Sequence, residues 1–183
     1  MRCRRSETGP RHNRGVPADP LVLVPLVAWL ASGLAAVSLA PRHGAARALC
    51  AAGVLIFAAW VLEVAAVRQI EGGGGDAALN AVADGVFIAK TVAVTAVLLL
   101  MPTGRFVRRW HTVLVATAGA LSLVAVLARV VGSARIDVGS EPALTVPNPL
   151  AVPSLAPLGR LGEILVDAEP VLFLIGVGVL LHR

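Results

Sequence analysis

Seven ionisable residues stand inside otherwise apolar runs: Glu63, Asp84, Lys90, Arg129, Glu163, Asp167 and Glu169. A charge in hydrocarbon costs about 3 kcal/mol on insertion scales, so such groups face a bundle interior, reach water or pair with one another. The chemistry open to them is an ion path, a polar pocket or a charge pair between helices. Glu63 and Lys90 differ in depth by about 6 Å of helical rise and are expected to pair across two adjacent helices. Glu163 and Asp167 are expected to snorkel to the interface. A second concentration of polar groups is MPTGRFVRRWH, Met101 to His111, where three arginines and a tryptophan separate two apolar runs.

Catalytic constellations do not emerge. The four histidines, His12, His43, His111 and His182, are scattered near helix ends without metal-ligand spacing, and read as interfacial. Cys3 and Cys50 form no CxxC and suggest no disulfide framework. The glycines of RQIEGGGGDAALN make a flexible loop, not a GxGxxG after a strand, and HExxH and P-loop patterns do not occur. The expectation is therefore no catalytic residue, no metal, no cofactor and no enzymatic activity.

The elements that must position these groups are membrane helices. The chain has 183 residues, 57% hydrophobic and 15% charged. A soluble domain is usually about half apolar and a quarter charged. The apolar excess is blocked into five runs: Leu21–Ala40, Ala48–Val67, Val82–Met101, Thr112–Val131 and Leu161–Leu181. About 20 helical residues cross a hydrocarbon core, and a helix satisfies its own backbone there. Period-two alternation is absent, which argues against a β-barrel. A soluble bundle would have to bury helices apolar on every face. The spacing thus predicts an all-α integral membrane protein of about five transmembrane helices over residues 21–183, multi-pass in the plasma membrane. Residues 1–20 are polar, arginine-rich and proline-punctuated, and read as a disordered basic tail. The first run is longer than a signal-peptide core of about 7–15 residues, so an uncleaved helix is expected. The positive balance fits anionic lipid, with no nucleic-acid partner.

The connections predict an order of sides. Residues 68–80 and 132–160 share one side, and the ionisable residues of the spans are expected in the half nearest it. The proline-rich segment 132–160 is expected in extended or turn conformations at the membrane surface. If the fifth span ends inside, the inner loops carry Arg42, Arg47, Arg105, Arg108 and Arg109 against Arg68, Arg135 and Arg160 outside. That favours the positive-inside arrangement, although the basic tail would then lie outside.

The arginine turn also resembles the loop FPDGRLPSRRWR in the membrane regions of actinobacterial sensor histidine kinases. Pro102, Gly104, Arg105, Arg108, Arg109 and Trp110 match it; Thr103 stands where that family has Asp, and the loop is one residue shorter. One span later, Asn148, Pro149 and Leu150 of VPNPLAVPSLAPLG resemble the family's NPLG, with Ala151 in place of the glycine. The resemblance covers residues 81–183. It implies a membrane sensing and anchoring region with a cytoplasmic arginine loop, partnered by lipid, by a cytoplasmic kinase module or by a second copy. The phosphoaccepting helix and nucleotide-binding boxes of such kinases do not occur here, so a truncated or separately encoded sensing part is expected. The alternative is a small stand-alone transporter or accessory membrane subunit.

Overall fold

The computed structural model describes residues 20–101, 103–138 and 141–182. Of the tail expected to be disordered, residues 1–19 fall outside that set, and Pro20 is the first residue of α1. The described chain is mostly helical: α1 Pro20–Leu39, α2 Gly44–Glu71, α3 Ala77–Leu100, α4 Arg109–Gly132, α5 Ala156–Asp167 and α6 Glu169–Leu181, with strands β1 Arg135–Val138 and β2 Glu141–Pro147 between α4 and α5. The helices α2, α3 and α4 are each long and apolar enough to cross a membrane. All three begin before their apolar runs, and α2 and α4 also end after them, because flanking polar residues continue the helical hydrogen bonds.

Local chemistry sets the ends. After Glu71 the chain enters Gly72 and then Gly73, whose φ of 82° is a left-handed conformation suited to glycine. Asp76 caps α3, its carboxylate accepting from the Ala78 N–H at 2.8 Å. At the far end of α3, Gly104 turns the chain with φ 71°. A Cβ there would run into the His43 imidazole. The glycine of the arginine turn is thus required both by backbone conformation and by the close approach of the neighbouring loop.

Helix α3 is central, packing against α2, α4 and α6, while α1 packs along α2. Small residues let backbones approach, as between membrane helices generally. A Cβ on Gly33 would sit 2.7 Å from the Cys50 Cα, and one on Gly162 would sit 2.7 Å from the Ala125 carbonyl oxygen. Large apolar side chains such as Val54, Val113, Leu123, Leu127 and Leu174 point outward. That pattern suits a lipid solvent.

Two features correct the sequence reading. The run Leu161–Leu181 is not one helix. It is α5 followed by α6, which meet at Ala168, and α5 begins earlier, at Ala156. Pro170 supplies the reason: it has no N–H for the Val166 carbonyl, which instead accepts from Ala168. Together α5 and α6 run antiparallel to α4. Gly159 meets Gly132 at one end, and His182 lies across a cleft from Arg108 at the other.

The segment after α4 also holds more structure than extended chain and turns. β1 and β2 form an antiparallel hairpin with Arg135 opposite Pro147, Ile136 opposite Val146 and Asp137 opposite Thr145. A lone hairpin is marginal in water. This one is held by its apolar face: Val146 packs with Ala66, Val67, Ile70 and Leu79 over the α2–α3 connection.

Candidate functional site: a buried charge network under the hairpin

Arg129 lies in the last turn of α4, and Asp84 lies two turns into α3. The Arg129 Nη1 donates to both Asp84 carboxylate oxygens, at 2.8 and 2.6 Å. Its Nη2 donates to the Asp137 carboxylate of β1 at 3.3 Å. The first two side chains are almost wholly buried and Asp137 is about half exposed. The two bonds to Asp84 have the length of strong charge-assisted pairs, and the contact to Asp137 is longer and weaker. One guanidinium therefore holds together two helices and the hairpin above them. Asn80, one turn from Asp84 on α3, is also buried, and its side-chain amide has no hydrogen-bond partner among the described residues.

Asn148 closes the same end. Its side-chain nitrogen donates to the carbonyls of Val130 and Ser133, at 2.7 and 2.8 Å, and its side-chain oxygen accepts from the Leu150 N–H. Helix C-termini leave carbonyls without partners, and this amide satisfies two of them at the end of α4. It also fixes the turn through Pro149 and Leu150 into the short 3-10 turn Pro153–Leu155. The Asn-Pro-Leu string thus has a structural job. Asn148→Ala should cost about 1–3 kcal/mol, the cost of leaving buried polar groups unpaired, read from thermal unfolding in detergent. Asn148→Asp, which keeps the acceptor and loses both donors, should not restore the loss; full stability in that variant would show that the donors are idle.

The other polar residues of the spans are placed differently. Lys90 lies near the middle of α3. Its Nζ sits 3.4 Å from the Phe87 ring centroid, a cation–π contact. Lys90, Thr91 and Asp167 line a cleft of ≈ 640 Å³ whose other walls are Ile56, Phe87, Val94, Val166, Pro170 and Phe173. The cleft lies at the break between α5 and α6. Glu163 and Asp167 are exposed, and Glu63 lies in the second half of α2. Nothing is described of the Glu169 side chain.

No family model, curated protein or solved structure matches the chain.

At the opposite end, Arg105, Arg108, Arg109 and Trp110 are exposed where α3 gives way to α4, while Pro102 lies outside the described residues. His111 is 2% exposed and meets Trp110 edge-on, with ring centroids 4.2 Å apart. It sits at the start of α4, near the helix end where the sequence places it. Among the described residues no three His, Cys, Asp or Glu side chains gather as a metal site.

Sequence reasoning named Asp84 and Arg129 but not their partnership, and it missed Asp137. The available signal was depth: both lie near the same ends of adjacent helices. Asp137 needed the hairpin to be recognised first.

Proposed function

We propose that the chain is a membrane-embedded sensing and anchoring domain of the sensor histidine kinase type, without catalytic activity of its own. On this reading it crosses the plasma membrane five times, α5 and α6 together making the fifth crossing. The hairpin end faces outside, and the arginine loops face the cytoplasm. The observation that carries the reading is the Asp84–Arg129–Asp137 network, which joins the hairpin to two membrane helices. A ligand, lipid or membrane change at the hairpin would alter the hold of Asp137 on Arg129, and with it the balance between arrangements of α3 and α4. Because α5 packs on α4 and α6 packs on α3, the fifth crossing registers that change and carries it towards His182. The mechanism is a population shift, and its size is bounded by the difference in contact energy between the two states.

The cleft at Lys90 and Asp167 favours a second reading, a small transporter. A polar site at a broken helix near mid-membrane is how many transporters bind substrate. Uptake by proteoliposomes that Lys90→Met abolishes would select it.

Two measurements test the main reading. Cysteines placed at Gly74 and Thr103, in a chain lacking Cys3 and Cys50, should differ on intact cells. An impermeant thiol reagent should label position 74 and leave position 103 unlabelled; the reverse pattern contradicts the orientation. The purified 183-residue chain should neither bind nor hydrolyse ATP, and measurable turnover would refute the absence of catalysis.

A further inference from the structure

Among the described residues, Asp and Glu side chains are missing from one end of the bundle. No Asp or Glu occurs in residues 20–62, 85–136 or 170–182. That end carries Arg42, His43, Arg47, Arg105, Arg108, Arg109, His111 and His182. Between the start of α4 and the end of α6 lies a cleft of ≈ 620 Å³. Its polar lining is Arg108, Trp110, His111 and His182, and its apolar lining is Val107, Ile175, Gly178 and Val179. A Cβ on Gly178 would meet nothing within 4 Å, so the floor along α6 is open.

We propose that this cleft binds one anionic glycerophospholipid, with the phosphodiester at Arg108 and His182 and the glycerol and upper acyl chains against Ile175, Gly178 and Val179. Charge decides the sign of the head: cationic and aromatic donors line the rim, and among the described residues no Asp or Glu at that end competes for them. The apolar floor decides the source, because a free phosphate would leave it uncovered. The position, where helices enter the interface beside an indole, matches the depth of a lipid headgroup. Basic pockets between membrane helices bind anionic headgroups in this way, and the volume falls within the usual range for small-molecule sites. A diffuse basic belt would attract the same lipids without selecting a place. The cleft walls distinguish the two, since Arg42 and Arg47 are exposed at the same end but outside it.

Trp110 stands at the rim and can report occupancy. The full chain with Trp29→Phe and Trp60→Phe is placed in phosphatidylcholine bilayers, and Trp110 quenching by brominated phosphatidylglycerol is compared with quenching by brominated phosphatidylcholine. The site should prefer phosphatidylglycerol. Arg108→Gln should reduce that preference about fivefold, and adding His182→Gln should reduce it further. Arg108→Lys should largely keep it. Gly178→Phe, which fills the floor and leaves every charge in place, should abolish it. Arg42→Gln with Arg47→Gln should leave it unchanged. Equal loss in the Arg42/Arg47 variant would mean a diffuse belt and overturn the proposal, as would equal quenching by both lipids. Full displacement by inorganic phosphate would mean a free-anion site and overturn the lipid assignment.

Discussion

Arg129→Met is expected to destabilise the folded chain by about 3–5 kcal/mol, because it leaves Asp84 buried without its partner. The magnitude follows from burial: both side chains are almost wholly removed from solvent, and an uncompensated carboxylate in low dielectric is far more costly than a missing contact. Asp84→Leu alone should cost a similar amount for the mirrored reason. The double variant, Asp84→Leu with Arg129→Met, should recover most of the loss, since a buried ion pair exchanged for apolar side chains is often neutral or better. Thermal unfolding in detergent reads all three. Strictly additive losses would show that the two groups do not stabilise one another.

Gly132→Val is expected to cost about 3 kcal/mol or more, at or above the upper range of overpacking. A Cβ at position 132 would meet the Gly159 backbone nitrogen and would lie 2.5 Å from the Leu155 carbonyl oxygen. Both are backbone atoms and cannot rotate away, so α4 and α5 must separate. Separation would also disturb Asn148 and Arg129, which lie at the same end of α4. Gly119→Ala is the control: the nearest atom to its Cβ is the Val92 Cγ1 at 3.9 Å, so it should be tolerated. Similar melting of the two variants would show that the close approach is not needed for stability.

The parts of the fold that sequence made legible are those that one strong local signal determines. Helices α2, α3 and α4 follow from apolar runs, and apart from the end of α3 their limits lie outside those runs by about a turn, because polar flanks continue a helix without being apolar. The break at Ala168 was written in Pro170, which follows the acidic residues Glu163, Asp167 and Glu169 and opens the charge-free part of the run. The hairpin was hidden because its strands are short and its hold comes from distant residues, Ala66, Val67 and Leu79, which no local pattern in 135–147 reveals. In the charge network, depth along the helices pointed to several acidic and basic residues at once. Choosing Asp84 for Arg129 required knowing that α3 and α4 meet with those faces together. Lys90 lies near mid-helix because α3 begins at Ala77, before its apolar run.

The central claim is that the hairpin communicates with the membrane helices through Asp137 and Arg129. It is tested most directly by joining a histidine kinase core after Arg183 and measuring autophosphorylation in membrane vesicles. Asp137→Asn weakens the link from hairpin to helices and leaves the Asp84–Arg129 pair in place. It should shift the steady level of phosphorylation by up to about fivefold, the effect of a partly exposed ion pair of ~1 kcal/mol. The exposed Arg135→Gln change on the same strand should not alter it. Phosphorylation indifferent to Asp137→Asn, at equal membrane content of the two proteins, would contradict the claim and reduce the hairpin network to a structural tie.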